Sequence, residues 1–187
     1  MTNHLDYEIN KELGECYLFM GDLDKAVEYY DKAINSNGRH PDPYLGLATI
    51  AVQRGDLDKA MVLYKKAAEI DPDDKALAGM ALIEMENGAH EEAFAHFSQA
   101  VDKNPENMVA ISCLVQLGHI MDRLTDVIPR LADYLAIDPF KSEVRYSLAG
   151  CLVAVGDKEE AALHLERILE NDPEHGPALD LLEQIRS

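Results

Sequence analysis

The stretch that decides the fold occurs almost twice: GDLDKAVEYYDKA at Gly21–Ala33 and GDLDKAMVLYKKA at Gly55–Ala67. The two copies start 34 residues apart. Self-similarity at a fixed interval of about 20–50 residues indicates a repeat architecture. Weaker copies follow at nearly the same interval, at Asn87–Ala100, Asp122–Pro139 and Gly156–Pro173. The interval predicts five copies of one structural unit.

Each copy has the signals of two helices joined by a tight turn. The glycine suits the left-handed backbone conformation in which many helices end, and the following aspartate is a favourable N-cap for the next helix. A proline, which cannot continue a helix without losing a hydrogen bond, recurs at intervals of 33, 34 and 34 residues: Pro72, Pro105, Pro139 and Pro173. No segment alternates as a strand does. The pattern predicts an all-α fold.

Residue size also follows the 34-residue unit. Places are counted from the start of each 34-residue unit. Small residues recur at place 8 (Gly14, Ala48, Ala81, Ala149) and place 20 (Ala26, Ala60, Ala93, Ala161), and the fourth unit has valine at both, Val115 and Val127. A large residue recurs at place 24: Tyr30, Tyr64, Phe97, Leu131 and Leu165. Small side chains let helix backbones approach, and overpacking such a site typically costs about 1–3 kcal/mol. Packing geometry therefore restricts the size of the side chain at these places.

This pattern resembles the tetratricopeptide repeat family, whose helix-turn-helix units repeat every 34 residues. The resemblance implies a right-handed α-solenoid of stacked antiparallel helix pairs. We expect a single repeat domain over residues 1–187 with a capping helix at 176–187. The expected repeats are approximately 7–40, 41–73, 74–107, 108–141 and 142–175.

The fourth repeat departs most from the family pattern. Val127 and Tyr134 stand at small-residue places, and Pro129 falls inside the second helix. If Thr125 caps that helix, Pro129 lies near the first turn and costs little. If the helix starts earlier, Pro129 should bend it.

The charge of the chain restricts its partners. It has 35 acidic and 17 basic residues, a formal net charge of −18. Such a surface repels nucleic acid phosphates and anionic lipid headgroups, so we expect neither nucleic acid nor membrane as a partner. A signal peptide and an 18-residue apolar stretch are both missing from the sequence, and the odd, widely spaced cysteines (Cys16, Cys113, Cys151) fit a reducing compartment. We expect a cytoplasmic protein.

The sequence contains no recognisable catalytic or metal-binding motif. The seven histidines form no HExxH motif, and no CxxC pair or glycine-rich phosphate loop occurs. The pairs Glu92–His96 and Glu160–His164 have the four-residue spacing of a shared helix face, which is common on ordinary helix surfaces. The sequence predicts no enzyme activity, no cofactor and no metal.

The resemblance also implies that the first helix of each unit lines a concave groove. At the groove-facing places, Gly46, Ala78, Gly79 and Gly150 are small enough to leave room for a partner. The candidate partner-binding residues are Lys11, Glu15, Phe19, Leu45, Thr49, Val52, Ala78, Leu82, Met85, Ser112, Gln116, His119, Tyr146 and Val153.

Some members of the family are co-chaperones that bind a terminal carboxylate with Lys, Asn and Arg side chains. Lys11 and Lys75 match that clamp, whereas Glu15, Gly46 and Gly79 replace the Asn, Asn and Arg. A carboxylate needs several donors and is repelled by Glu15, so the clamp is disfavoured.

The main hypothesis is a non-enzymatic adaptor that holds an amphipathic or basic segment of a protein partner in an apolar groove with an acidic mouth. Simple packing between neighbouring first helices is the competing explanation for the apolar residues. A self-assembling scaffold that forms homo-oligomers, and an enzyme or metal protein, are the alternative functions.

Overall fold

The computed structural model describes residues 2–187, with side chains from residue 4 onward. This part of the chain is all-α, as predicted, and contains eleven helices and no strand. The helices are α1 (Thr2–Phe19), α2 (Leu23–Ser36), α3 (Asp42–Gln53), α4 (Leu57–Ile70), α5 (Asp74–Glu86), α6 (His90–Lys103), α7 (Met108–Ile120), α8 (Leu124–Ile137), α9 (Ser142–Val155), α10 (Lys158–Asn171) and α11 (Gly176–Arg186).

The helices form two compact units, one ending at Lys103 and the other comprising Asn104–Ser187. In the first unit, α1 packs on α2, α3 on α4 and α5 on α6, and α2–α3 and α4–α5 contacts join the pairs. In the second unit, α7 packs on α8 and α9 on α10, with α11 against α10. Each unit is therefore a stack of helix hairpins.

The turn inside each hairpin has the conformation that its sequence predicts. Asp22 precedes α2 and its carboxylate accepts a hydrogen bond from the backbone N–H of Lys25 at 3.2 Å. Asp56 and Asp157 cap α4 and α10 in the same way, at 3.1 Å each. The turn glycines have positive φ, from 76° to 91°: Gly21, Gly55, Gly88 and Gly156. The doubled hexapeptide is thus a turn-and-cap element.

The fourth hairpin uses different residues for the same turn. Asp122 replaces the glycine with φ 55°, the only positive-φ residue other than glycine in the described chain. Helix α8 begins at Leu124, one residue before Thr125, and no side chain caps it. Pro129 therefore lies in the second turn, where it leaves the Thr125 carbonyl without its intrahelical donor.

Packing compensates for the large side chain at place 20 of the fourth hairpin. Val127 is almost fully buried, 1% exposed. A Cβ at Gly118 of α7 would lie 2.9 Å from the Val127 side chain. Glycine on the facing helix therefore supplies the space that alanine supplies at place 20 in the other repeats.

Aromatic residues at place 24 pack on glycine backbones in the first unit. A Cβ at Gly46 would overlap the Tyr30 ring, and one at Gly79 would overlap the Tyr64 ring. The prediction that these two glycines leave room for a partner is wrong, because the preceding repeat's tyrosine fills that room. Gly150 has no heavy atom near the corresponding Cβ position and does leave room.

Candidate functional site

The fourteen candidate residues all lie on the first helix of a hairpin and fall into two groups, one in each unit. We call the group on α1, α3 and α5 the unit-1 face and the group on α7 and α9 the unit-2 face. The unit-1 face comprises Lys11, Glu15, Phe19, Leu45, Thr49, Val52, Ala78, Leu82 and Met85; the unit-2 face comprises Ser112, Gln116, His119, Tyr146 and Val153.

Accessibility differs within the unit-1 face. Ala78 is buried, 6% exposed, and its methyl group belongs to the core of the unit. The other eight residues keep accessible surface. Phe19 is 95% exposed, Leu82 44% and Val52 41%. Exposed apolar side chains grouped on one surface are typical of interaction sites.

The apolar part of the unit-1 face lies on a common core. Val52 and Leu82 adjoin Ala51 and Ile83 in sequence, and the latter two share one buried cluster. The cluster also contains Ala60 of α4, so α4 joins the helices that carry Val52 and Leu82. The Thr49 hydroxyl donates a hydrogen bond to the Leu45 carbonyl at 3.0 Å.

The other end of the unit-1 face is acidic. Lys11 Nζ lies 2.9 Å from Glu8 Oε2. The hydrogen bond that Lys11 donates to Glu8 raises the pKa of Lys11, and the charges of Glu15 and Asp42 raise it further. Three carboxylates therefore act on Lys11, and its single positive charge cannot neutralise them.

Burial and the same carboxylates raise the pKa values of two tyrosines. Burial, followed by the charges of Glu15 and Asp42, raises the pKa of Tyr30 to about 12. The pKa of Tyr7 is raised as well, first by burial and then by Asp42, Glu8 and Glu15. These effects indicate that the carboxylates of α1 and α3 act on the same region.

The charge and the apolar surface run along the same helix faces. Glu8, Lys11, Glu15 and Phe19 are three or four residues apart on α1, and Asp42, Leu45, Thr49 and Val52 repeat that spacing on α3. Residues at this spacing share a face. Both stripes begin with a carboxylate and end with an exposed apolar side chain.

The unit-2 face is more polar. Ser112, Gln116 and His119 are exposed on α7. On α9, Tyr146 and Val153 are half-buried, and the Tyr146 ring lies 6.0 Å from the His175 ring. This face offers hydrogen-bonding groups beside the open space at Gly150.

Several exposed apolar residues are not among the candidates predicted from the sequence. Met20 is 72% exposed beside Phe19, and Val62 and Leu163 are exposed on second helices, at 66% and 62%. Tyr17 and Tyr29 stack with ring centroids 5.3 Å apart, and Lys25 and Lys32 cover the two rings. The spacing of apolar residues along a helix does not show which of them are exposed and which are buried.

The histidines bond to partners other than those at four-residue spacing. His96 Nδ1 lies 2.7 Å from Glu84 Oε2 rather than beside Glu92, and His164 Nδ1 lies 3.2 Å from an Arg145 nitrogen. In the described part of the chain, no three His, Cys, Asp or Glu side chains are grouped as metal ligands.

Half-buried Cys113 and buried Cys151 are poor nucleophiles. Burial raises the pKa of the Cys113 thiol, and it raises that of Cys151 to about 11. A thiol reacts through its thiolate, so these two side chains act as small apolar residues at neutral pH.

Between residues 2 and 187, no helix combines the length and the apolar character that a membrane crossing requires.

Family comparison agrees with the geometry. The family model for the tetratricopeptide repeat matches residues 18–83 and 119–185. The chain belongs to the tetratricopeptide repeat family. Membership of this family accounts for the stacked hairpins and their 34-residue spacing.

The curated relatives are much longer proteins. The chain is 36% identical over 110 residues to the BBSome complex member BBS4 of Bos taurus, which covers 58% of this chain and 21% of that protein. It is 28% identical over 110 residues to the anaphase-promoting complex subunit 3 of Schizosaccharomyces pombe, covering 57% of this chain and 16% of that protein. The chain thus spans about a fifth of these relatives or less.

Solved structures share the fold at low sequence identity. YrrB, described as a TPR protein with an unusual peptide-binding site, superposes with a TM-score of 0.69 and 16% identity, covering 93% of this chain and 90% of that one. PilF of Pseudomonas aeruginosa gives a TM-score of 0.72 and 18% identity, covering 91% and 78%. These similarities show the fold of a tetratricopeptide repeat protein.

Proposed function

We propose that this protein is a non-enzymatic adaptor whose unit-1 face binds a basic, amphipathic segment of a protein partner. The observation that carries the proposal is the arrangement on α1 and α3, where carboxylates at one end adjoin exposed apolar side chains at the other. Family membership supports protein–protein interaction as the general role. Two curated relatives bear the names of complex subunits, which fits an adaptor.

The partner follows from charge and shape. An amphipathic helix places cationic side chains beside an apolar face at spacings of three and four residues. Its cations would meet Glu8, Glu15 and Asp42, and its apolar side chains would cover Val52 and Leu82. Met85 is half-buried at the same end, and its flexible side chain adapts to different partner surfaces.

The carboxylate clamp remains the weaker alternative. Lys11 is already paired with Glu8, and Glu15 and Asp42 add negative charge around it. An incoming carboxylate would have to displace Glu8 and overcome the other two charges. The cytoplasmic location and the absence of catalysis, cofactor and metal are parts of the same proposal.

The self-assembling scaffold also remains an alternative, because Val62 and Leu163 expose apolar side chains on second helices. Sedimentation velocity distinguishes the two functions. The adaptor predicts a sedimentation coefficient that does not rise with protein concentration, whereas self-assembly requires it to rise.

The test uses a labelled Leu/Lys amphipathic helix of about 18 residues and its Leu/Glu counterpart, with fluorescence anisotropy as the readout. Leu82→Glu and Met85→Glu place a charge on the apolar end and should weaken binding of the basic peptide at least tenfold. Val62→Glu, at an exposed apolar site on a second helix, is the control and should retain binding within twofold. Equal binding of both peptides, or equal loss in the control, would contradict the proposal.

A further inference from the structure

Arg145 occupies a core position of the fifth hairpin. At the same place, repeat one has Asn10, and repeats two, three and four have Tyr44, Leu77 and Ile111. Arg145 is 7% exposed and is the only charged residue that is buried among residues 4–187. Arginine is rarely buried in proteins unless it is paired. Tyr44 donates a hydrogen bond to the carbonyl six residues earlier, that of Gly38, and Arg145 bonds Pro139 in the same way. The positive charge is what sets Arg145 apart from the residues at this place in the other repeats.

The bonds of Arg145 leave its charge uncompensated. One Nη donates to the Pro139 carbonyl at 2.6 Å, and the other donates to His164 Nδ1 at 3.2 Å. Both acceptors are neutral, because burial and the Arg145 charge lower the pKa of His164. A guanidinium has five N–H donors, so further donors remain. Among the described residues, no carboxylate lies within 4.0 Å of the Arg145 guanidinium nitrogens.

The guanidinium lines a cleft between the α8–α9 turn and α10. The cleft has a volume of about 230 Å³, several times the roughly 30 Å³ that a water molecule occupies in the liquid. Arg167 lines it too, and its charge adds to burial in lowering the pKa of Arg145. Two cations therefore line one space, and the single carboxylate beside them, Glu170, cannot neutralise both. The other lining residues are Pro139, Phe140, Glu170 and Asn171.

We propose that this cleft binds the oxyanion of a phosphate monoester between Arg145 and Arg167. Arginine matches phosphate oxygens with paired N–H donors, and a doubly charged group neutralises both guanidiniums. Asn171 adds an amide whose nitrogen already donates one hydrogen bond to the Arg167 carbonyl and has a second N–H to donate. Glu170 opposes any anion and limits the affinity. Long-range repulsion by the net charge of −18 is screened beyond about 8 Å at physiological ionic strength, so these local groups decide.

The exposed Phe140 indicates how a phosphorylated protein differs from free phosphate at this site. Its ring is 78% exposed at the rim of the cleft, where it can pack against residues that flank a phosphorylated side chain. Inorganic phosphate gains nothing from this contact. The cleft lies in the second unit and is separate from the unit-1 face.

The test titrates the ¹⁵N-labelled protein with inorganic phosphate, with a phosphoserine peptide, and with the same peptide bearing serine or glutamate. Arg145→Leu introduces the residue that repeat three has at this place, Leu77, and Arg167→Gln changes an exposed residue, so both variants should fold. Each should weaken binding of the phosphoserine peptide at least tenfold. Arg39→Gln, an exposed arginine of the other unit, is the control and should leave it unchanged.

The outcomes separate the sources of the anion. Tighter binding of the phosphoserine peptide than of inorganic phosphate, with the difference lost in Phe140→Ala, supports a phosphorylated partner. Equal affinities support free phosphate at the same two arginines. The proposal is overturned if neither phosphate probe shifts the Arg145 Nε–H resonance, if the glutamate peptide binds as tightly as the phosphoserine peptide, or if Arg39→Gln loses binding equally.

Discussion

The ring of Tyr30 lies against the backbone of Gly46, so that the second repeat has no space for a Cβ at this position. Tyr64 and Gly79 repeat the relationship one unit later. In the fourth repeat, where place 24 holds the smaller Leu131, the following unit has Ser147 instead of glycine. The aromatic side chain and the glycine therefore form one packing element that spans two repeats of the first unit.

Gly46→Ala should destabilise the first unit. The added methyl group overlaps the Tyr30 ring, and overpacking of this kind costs about 1–3 kcal/mol. Gly150→Ala is the control, because open space surrounds its Cβ position and alanine favours a helix over glycine by about 1 kcal/mol. Urea unfolding followed by circular dichroism measures both. A Tyr30→Leu background should relieve the cost of Gly46→Ala; an undiminished cost there would contradict the packing account.

Asp56→Ala should lower the stability of the second hairpin by about 0.5–2 kcal/mol, the usual cost of a lost N-cap. The Asp56 carboxylate accepts the Lys59 backbone N–H at 3.1 Å. Asp56→Asn keeps an oxygen that can accept the same bond and should cost much less. Thermal unfolding compares the three proteins. Equal losses in the Ala and Asn variants would show that the charge, not the cap, is responsible.

His164 should titrate below its usual pKa of about 6.5. Burial lowers the pKa first, then the charge of Arg145; Glu160 opposes them, and Arg167 adds to the decrease. Between the folded and unfolded pKa values the unfolded chain binds more protons, so this histidine's contribution to stability declines as pH falls below about 6.5.

An NMR titration of the His164 ring measures this pKa directly. Arg145→Leu removes a repelling charge and should raise the pKa relative to the parent protein, while burial remains. A parent value at or above the usual one, or no change in the variant, would contradict the assignment.

The sequence was most informative at the turn and the N-cap, which every repeat needs. The turn glycines and the capping aspartates follow from backbone geometry, and the structure confirms them. The compensation of Val127 by Gly118 was not predictable in this way, because it joins two helices at positions that no single-helix pattern connects. The contact of Tyr30 with Gly46 was not predicted either, because it joins helices of two consecutive repeats.

The candidate site was predictable only in part. Helical spacing placed Phe19, Val52 and Leu82 on exposed faces, but it also placed the buried Ala78 among them. Spacing gives the direction of a side chain, whereas burial depends on what the neighbouring helix contributes. Arg145 was missed because a charged residue in an apolar place reads as a surface position until its bonds to Pro139 and His164 are known.

The central claim is that the unit-1 face, and no other surface, receives a basic amphipathic segment. Methyl and backbone NMR of the labelled protein, titrated with the Leu/Lys helix, tests it most directly. The account predicts shift changes at Val52, Leu82 and Met85, with Glu15 and Asp42 perturbed at the acidic end. Changes confined to Val62, Leu163 or other second-helix residues, or none at saturating peptide, would contradict it.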